Sequence, residues 1–382
     1  MAKRIWYCGL KMIRICHLSS VHPADDVRIF HKECITLAGY SDWEVHFVGN
    51  GPLDVGQTGV IFHPLPPFAH GRFLRMLLRG WQGYWMARSV DADIYHFHDP
   101  ELLPWGWLLK IQGKKVIYDA HEDVPRDILT KSWIPRALRQ FVASTTELIE
   151  NFITRKLDLV VTATPFIRDR FLSVGVNAVV LNNYPKISEL GSSIHAVQHG
   201  HPSVCYTGAI MAERGAHEMV EALTFAGIQL QLAGSYSPGS LRSNLMSLKG
   251  WQYVNELGLV KRDRLPEIFS TSIAGLVLFH PVPNNVNSQP NKLFEYMSAG
   301  IPIVCSDFPL WRHLIESVGC GICVDPLNTD EIGGAIRWMI EHPHEARAMG
   351  ARGARAVRDR FNWETEAGNL VQAYRIIANQ LI

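Results

Sequence analysis

The segment 290–307 holds the pair of charged side chains whose types and spacing point most directly to chemistry. Lys292 and Glu295 stand three residues apart among apolar residues, which predicts a short helix that ends at the Gly-Ile-Pro break of 300–302. The β-branched run that follows is typical of a parallel strand buried on both faces. A carboxylate at the carboxyl edge of such a sheet can accept both hydroxyls of a ribose, and a lysine or a helix N-terminus can bind phosphates. The segment therefore predicts a nucleotide site.

A second cation follows the first predicted strand of the second half. In the segment 206–215, Gly208 permits close approach of a ligand to the backbone, and Arg214 stands at the start of the next helix. An arginine beside a helix N-terminus is suited to holding a diphosphate. A glycine turn followed by arginine and glycine is a common pattern, so this prediction gains weight only from its place after a strand.

Histidines and carboxylates follow two successive strands in the first half. One strand ends in the segment 95–101, which contains His96 and His98, and the next ends in 118–123, which contains His121. The carboxyl ends of parallel strands meet at one edge of a sheet. A lone buried histidine is usually a core residue, but two such strand ends favour a site that contacts sugar hydroxyls.

Three other patterns predict no site of their own. The spacing of His96 and His98 supplies no third or fourth metal ligand, so we expect no metal. Asp91-Ala92-Asp93 precedes its strand, at the edge opposite to the ligand edge, and predicts a solvated turn. The sequence has neither a G-x-G-x-x-G before a helix nor a G-x-x-x-x-G-K-[ST], which argues against hydride transfer and ATP hydrolysis.

Composition restricts the class of protein. The chain has 382 residues, 47% hydrophobic and 19% charged, which fits two globular domains and excludes long disorder. A net charge of +1 gives no general attraction to nucleic acid. The seven scattered cysteines suit a reducing cytoplasm, and we expect neither a transmembrane helix nor a signal peptide.

Strands and helices alternate throughout, which predicts an α/β protein with doubly wound parallel sheets. We predict a first domain over 1–186, a linker over 187–202, a second domain over 203–360, and a C-terminal helix over 361–382 that packs back toward the first domain. Within the first domain, residues 1–11 are expected to have little structural role. The predicted strands lie near 13–18, 44–48, 93–97, 115–119, 158–162 and 178–181, then 203–207, 229–233, 274–279, 301–305 and 321–324.

The interval between Asp54 and Asp91 contains no carboxylate. Arg72, Arg75 and Arg79 share one helical stripe there, beside aromatic residues. This pattern predicts either a helix lying on an anionic membrane surface or an ordinary packed helix with a basic outer face.

Together the segments 22–33, 96–103, 116–123 and 290–307 resemble the retaining GT-B glycosyltransferases of family four, in the bacterial branch that builds surface polysaccharides such as lipopolysaccharide. The resemblance covers nearly the whole chain. It implies two Rossmann-like domains facing a central cleft, and transfer of a sugar from a nucleoside diphosphate to a glycan or lipid-linked acceptor. It also implies retention at the anomeric carbon and no metal or other cofactor.

On the donor side, the resemblance places Glu295 at the second glutamate of the family's Glu-x7-Glu motif, where it should bind the ribose. Asn287 occupies the first glutamate position, a departure from the motif, and Asn291 lies between the two. Arg214 matches the family's phosphate-binding lysine. The family's Gly-Arg is Gly208-Ala209 here, so Lys292 is the candidate to replace the missing arginine.

On the other side, the resemblance places His121 at the reacting centre of the sugar. We predict that His98, at the end of the neighbouring strand, is catalytic together with His121. The segment 21–26 replaces the family's Gly-Gly loop, and the expected acceptor-side residues are His22, Asp26, Arg28 and Glu122. No protein nucleophile is expected. The enzyme should be cytoplasmic and peripheral at the inner face of the cytoplasmic membrane. The alternatives are a UDP-sugar epimerase of the same fold and a non-catalytic protein that binds sugar nucleotides or glycans.

Overall fold

The computed structural model describes residues 12–67, 72–131, 133–190 and 202–381, and for 72–77 and 189–190 it describes the backbone only. The predicted extension 1–11 and most of the predicted linker, 191–201, lie outside these ranges. The chain divides into two compact units. The first contains the chain up to Asn183 together with Glu366 onward, and the second is Tyr184–Thr365.

The first unit is a parallel sheet with its connecting helices. Its elements are β1 (Ile13–Pro23), a π-helical segment (Val27–Cys34), α1 (Ile35–Ala38), β2 (Trp43–Asn50), β3 (Val60–Leu65), α2 (Arg72–Val90), β4 (Ile94–Phe97), α3 (Leu103–Ile111), β5 (Lys115–Ala120), α4 (Val124–Ile128), α5 (Arg136–Thr154), β6 (Leu159–Thr162), α6 (Pro165–Ser173) and β7 (Ala178–Val180). The strand order is β3-β2-β1-β4-β5-β6-β7, and every pair is parallel. The order reverses direction at β1 and β4, which is where open α/β sheets bind ligands.

The second unit repeats this architecture with six strands. Its elements are α7 (Ile187–Leu190), β8 (Ser203–Thr207), α8 (Ala216–Ala226), β9 (Gln229–Ala233), α9 (Leu241–Met246), β10 (Val254–Gly258), α10 (Leu265–Ser270), β11 (Ser272–Val277), α11 (Pro283–Val286), α12 (Asn291–Ser298), β12 (Ile303–Ser306), α13 (Pro309–Val318), β13 (Gly321–Val324), α14 (Thr329–Glu341) and α15 (Pro343–Asp359). The last helix, α16 (Trp363–Ala378), belongs to the first unit from Glu366 onward. The parallel order β10-β9-β8-β11-β12-β13 reverses at β8 and β11. The predicted α/β class with two doubly wound sheets is confirmed.

Two strands, β3 and β10, were not predicted from the sequence. Both lie at the outer edge of a sheet, where only one side of the strand is paired. β3 contains Pro64 and is partly exposed, and β10 is half-exposed and contains Asn255 and Glu256. Edge strands tolerate proline and polar residues, so they lack the continuous apolar run that marked the central strands.

The helix α2 decides one of the two predictions made for its arginines. Arg79 is 5% exposed and donates hydrogen bonds from Nε and Nη2 to Asn50 Oδ1. Its assignment to a membrane-facing stripe is therefore wrong, because its guanidinium is buried against Asn50 at the end of β2. The side chains of Arg72 and Arg75 lie outside the described part of the structure. Among the described residues, none of the helices combines the length and apolarity needed to cross a bilayer.

Candidate functional site

The first candidate site lies at the carboxyl edge of the first sheet, where β1, β4 and β5 are neighbours. The register pairs Phe97, the last residue of β4, with Leu18 of β1 and Tyr118 of β5, so β4 ends near the carboxyl ends of both neighbours. His98 and His121 follow two of these ends, and Nδ1 of the first lies 3.3 Å from Nε2 of the second.

Asp99 fastens the end of β1 to the end of β4. Its Oδ2 accepts hydrogen bonds from Ser19 Oγ at 2.9 Å and from the backbone N–H groups of Ser20 at 2.6 Å and Val21 at 3.2 Å. Its Oδ1 lies 3.5 Å from Nε2 of His22. Charge-assisted bonds of this kind hold a loop more firmly than neutral ones. Asp99 therefore fixes the loop that carries His22.

Arg28 lies below this edge, buried, and links two carboxylates. Its Nε and Nη2 donate to the two oxygens of Asp119 at 2.9 and 2.8 Å, and its Nε lies 3.2 Å from Glu33 Oε1. Burial would raise the pKa of Asp119, but the charge of Arg28 and the hydrogen bonds from His121 and His98 together outweigh burial and hold that pKa well below its ordinary value. Burial, together with the charge of Asp119, raises the pKa of Glu33 well above its ordinary value. The pair thus shares one cation, with Asp119 ionised and Glu33 favouring its protonated form.

A chain of hydrogen bonds runs from Asp119 into the core. Nδ1 of His98 lies 3.3 Å from Asp119 Oδ2, and its Nε2 lies 2.9 Å from Nδ1 of His17. The hydroxyl of Tyr374, on α16, lies 3.1 Å from His17 Nε2 and 2.8 Å from His96 Nδ1. Burial lowers the pKa of each of these histidines, which favours neutral rings. Neutral rings allow every contact in the chain to have one donor and one acceptor.

The buried histidines and carboxylates of this network are also possible metal ligands. Both oxygens of Glu33 and Nε2 of His96 lack a hydrogen-bond partner among the described residues, and a divalent ion could satisfy such atoms. Against this, the hydrogen-bond chain accounts for the other imidazole contacts, and protonated Glu33 is a poor ligand. Among the residues that the structure describes, two groups have possible ligand atoms within 4.8 Å of one another: His17, Glu33, His96 and His98, and His98, Asp119 and His121.

His121 brings this network to the surface. Its side chain is 17% exposed, its Nε2 lies 3.1 Å from Asp119 Oδ2, and its ring centroid lies 4.9 Å from that of His22. Nδ1 of His22 lies 3.6 Å from Oδ2 of Asp26, which caps the π-helical segment through two backbone N–H groups. Burial lowers the pKa of His22, but the two aspartates beside it, Asp26 and Asp99, together raise the pKa by more than burial lowers it, so the net shift is upward. Glu122 is exposed beside His121.

The second candidate site lies at the carboxyl end of β8. Gly208 has φ = 127°, a backbone conformation that residues other than glycine rarely adopt, and a Cβ there would lie 2.5 Å from Nζ of Lys292. The ammonium of Lys292 therefore rests against this backbone turn, and it also lies 5.5 Å from the ring centroid of Tyr206. Desolvation lowers the pKa of Lys292, an effect that Glu295 opposes and Arg214 reinforces.

Arg214 reaches the same edge from the turn before α8. Gly215 follows it with φ = 74°, and a Cβ at that position would lie 2.1 Å from the carbonyl oxygen of Leu278, so only glycine fits there. The Arg214 guanidinium lies 5.3 Å from the ring centroid of Phe279, just past the end of the neighbouring strand β11. Two cations and the N-termini of α8 and α12 thus serve one sheet edge, which is an arrangement that binds polyanions.

Glu295 lies one turn beyond Lys292 on α12, with its side chain 16% exposed and its Oε1 3.9 Å from Arg262 Nη2. The other predicted donor-side residues frame the start of this helix. Asn291 is its exposed first residue, and Asn287 is half-buried and ends α11. The turn Gly208, the cations Arg214 and Lys292, and Glu295 are thus brought together by β8, α8 and α12 within the second unit.

Several residues of the first site were not predicted. Asp119 stood within a segment singled out by sequence, but its role as the junction of Arg28, His98 and His121 depends on the fold. Glu33 and Tyr374 gave no sequence signal. Tyr374 lies 357 residues from His17 in the chain, so only tertiary structure could bring them together.

Comparison with known protein families assigns a domain to most of each unit. Residues 36–183 match the model described as Glycosyltransferase Family 4. Residues 214–372 match the model described as Glycosyl transferase-like.

Two curated relatives transfer mannose, according to their names. A phosphatidyl-myo-inositol mannosyltransferase of Mycobacterium leprae is 22% identical over 327 residues, which cover 82% of this chain and 78% of that protein. The O-antigen chain mannosyltransferase B of Escherichia coli is 28% identical over 130 residues, covering 34% of this chain and 31% of that protein.

Solved structures share the fold over nearly the whole chain. The sucrose-phosphate synthase of Thermosynechococcus elongatus superposes with a TM-score of 0.77 at 18% identity, covering 96% of this chain and 100% of that one. The Anabaena protein HepE, solved with UDP, gives a TM-score of 0.70 at 15% identity and covers 95% of this chain and 100% of that one.

Proposed function

We propose that this chain, a glycosyltransferase with a family 4 domain and the GT-B fold, transfers a hexose or N-acetylhexosamine in surface polysaccharide biosynthesis. The donor is a UDP- or GDP-linked sugar, and the acceptor is a glycan or a lipid-linked glycan. The sugar keeps its anomeric configuration. The mannosyltransferase relatives, one named for a phosphatidylinositol lipid and one for O-antigen, support an acceptor of this kind.

The observation that carries the proposal is the cationic edge of the second unit. Lys292 rests against the Gly208 turn, and Arg214 stands before α8 at the same edge. A leaving diphosphate develops negative charge, which preorganised cations and helix N-termini stabilise without rearrangement. In the proposed site, Lys292 takes the place of the cation missing from the Gly208-Ala209 turn, and Glu295, one helical turn from Lys292, accepts the ribose hydroxyls.

In the proposed mechanism, the first unit handles the acceptor and the reacting sugar. His121, with its ring held through Nε2 by Asp119, contacts the sugar at its reacting carbon. The acceptor hydroxyl attacks on the face from which the diphosphate leaves, and a donor phosphate oxygen takes its proton. The C–O bond to the diphosphate breaks as the new glycosidic bond forms, and His22 and Asp26 orient the acceptor. His98 is 2% exposed and acts as a positioning residue through its contacts with Asp119 and His121.

The function is tested by a thermal-shift panel of UDP-, GDP- and ADP-sugars, followed by turnover of the stabilising donor. A donor at a hundred times its dissociation constant should add about 2.7 kcal/mol of apparent stability. Turnover only when a lipid-linked or glycan acceptor is added supports the transferase. Conversion of a UDP-sugar without acceptor would identify an epimerase, and donor binding without any turnover would identify a binding protein.

The first prediction concerns the ribose contact. Glu295→Gln removes a charged acceptor for two hydroxyls, a loss of about 1.5–3 kcal/mol, so affinity for the nucleoside diphosphate should fall about 10- to 150-fold. Isothermal calorimetry measures this directly. Glu267→Gln is the matched control, because Glu267 pairs with Arg264 on an exposed surface of the same unit. An affinity unchanged by Glu295→Gln would remove this residue from the site.

The second prediction is that transfer needs no metal ion. Arg214, Lys292 and the helix N-termini receive the diphosphate in the proposed mechanism, so the rate in excess EDTA should remain within about twofold of the untreated rate. The assay should be run after prolonged dialysis against chelator, with metal content measured on the same sample. A rate lost in EDTA and restored by magnesium or manganese would refute this mechanism.

We also place the enzyme in the cytoplasm, at the inner face of the cytoplasmic membrane, because the donors proposed here are water-soluble and a lipid-linked acceptor is held in the bilayer.

A further inference from the structure

The outer surface of the first unit exposes large apolar side chains that are clustered. Of the 23 exposed large apolar side chains in the described part of the chain, nine lie on α2, α3 and α5. These three helices follow one another along one face of the sheet, with α3 in contact with both of the others. Single exposed apolar residues are ordinary, but a contiguous group marks an interaction surface.

The side chains of α5 form a stripe opposite its buried face. Phe141 is 71% exposed, Leu148 72% and Phe152 51%, and the intervals of seven and four residues place them on one side of the helix. The buried residues of α5, including Ala143 and Ile153, lie on the other side. Burial within this unit therefore does not explain why the exposed positions are large and apolar.

The helix α2 adds two tryptophans to this surface. Trp81 and Trp85, one turn apart, are 45% and 53% exposed and meet edge to face at 5.3 Å. Two tryptophans of α3 connect the outer helices, since Trp105 lies 5.2 Å from Trp81 and Trp107 lies 5.8 Å from Phe152, measured between ring centroids. We call the surface formed by Trp81, Trp85, Ile111, Phe141, Leu148 and Phe152 the aromatic belt.

The charges around the aromatic belt select its partner. The three helices contain two carboxylates, Glu147 and Glu150, which are bonded to Arg126 and Arg170 and thus neutralised. Exposed cations stand at both ends of α5, with Arg136 before the stripe and Arg155 and Lys156 after it, and Nζ of Lys156 lies 5.8 Å from the ring centroid of Phe152. Tryptophan and other apolar side chains bordered by cations and without free acids are typical of a surface that enters an anionic lipid interface.

We propose that the aromatic belt docks this protein on an anionic lipid bilayer. The proposal deepens the proposed use of a lipid-linked acceptor and rests on it for its biological purpose. It assigns attachment to the outer face of α2, α3 and α5, with the belt side chains entering the headgroup region and Arg136, Arg155 and Lys156 facing the lipid phosphates. The buried Arg79 has no part in the contact.

The test is sedimentation of the full chain, without substrate, with vesicles of phosphatidylcholine alone or mixed with phosphatidylglycerol. We expect the protein to pellet with the anionic vesicles at low salt and to be released as salt is raised. The triple variant Phe141→Ser, Leu148→Ser, Phe152→Ser should partition about 100-fold less. The matched control, Met246→Ser with Leu327→Ser, removes exposed apolar side chains from the second unit and should bind as the wild type does.

Three results would overturn the proposal: a wild type that stays in the supernatant, a triple variant that still pellets, or equal binding to neutral and anionic vesicles. Light scattering tests the alternative that a second copy of the chain covers the belt. A wild type that is dimeric and a triple variant that is monomeric would make the belt a contact between two copies. Calorimetry with UDP and GDP on the triple variant separates this proposal from the enzymatic one. Unchanged nucleotide binding with lost vesicle binding supports the belt, whereas loss of both would mean that the substitutions damaged the fold.

Discussion

Arg28→Met should destabilise the first unit by about 3–5 kcal/mol, because it removes the cation from a buried group of charges. Arg28 is 3% exposed, and Asp119, to which it donates two hydrogen bonds, is fully buried. Without Arg28, the buried carboxylate of Asp119 loses both of its charge-assisted hydrogen bonds. Urea denaturation followed by tryptophan fluorescence measures the loss.

The matched control for this substitution is Arg312→Met. Arg312 also pairs with an aspartate through two nitrogens, but the pair is exposed, and exposed ion pairs contribute at most about 1 kcal/mol. If the two variants lost the same stability, the buried group of charges would not be the feature that organises the first site.

Glu33→Gln extends this prediction to pH. Because the pKa of Glu33 is raised in the folded protein, protonation of this group favours the folded state at low pH, and that contribution is lost as the pH rises through the folded-state pKa. Glutamine keeps the shape of the protonated acid and does not ionise. The variant should therefore gain stability relative to the wild type as the pH is raised, and a constant difference between pH 4 and pH 8 would contradict the assignment.

His121→Ala should lower turnover by about 10²- to 10⁴-fold while leaving nucleotide affinity nearly unchanged. The structure places the His121 ring at the partly exposed end of the Asp119 network, in the unit that does not carry the diphosphate cations. In the proposed mechanism it acts at the sugar, so its loss is felt in the chemical step. Measuring kcat with a saturating donor, and the dissociation constant of the nucleoside diphosphate by calorimetry, separates the two quantities.

Two further variants decide whether His121 acts directly. His98→Ala should lower turnover less and lower stability more, because His98 is buried and bonded on both ring nitrogens. His63→Ala is the control for a half-buried histidine away from the site, since His63 lies on the edge strand β3. It should change neither turnover nor nucleotide affinity by more than about twofold. If His121 and His98 lost activity only in proportion to stability, both would be ordinary core histidines.

The fold class and most of the central strands could be predicted from the amino-acid sequence. Parallel strands buried on both faces are rich in apolar residues, and β4, β8 and β12 carry that pattern in their own residues. Gly208, Lys292, Arg214 and Glu295 were also identifiable, because a nucleotide edge is built from local features: a turn after a strand and the first turn of a helix. The edge strands β3 and β10 were missed because half-exposed strands tolerate proline and polar residues.

Which charged residues are structural becomes visible only in the folded protein. In the sequence, Arg28 and Arg79 cannot be distinguished from surface arginines. Their burial depends on contacts with Asp119 and Asn50, which lie 91 and 29 residues away in the chain. The same holds for Tyr374, which completes a network begun at His17. The aromatic belt is the converse case. A pattern of period 3.6 reveals an apolar face on a helix, but whether that face is covered depends on the elements packed against it, and the structure leaves Phe141, Leu148 and Trp85 exposed.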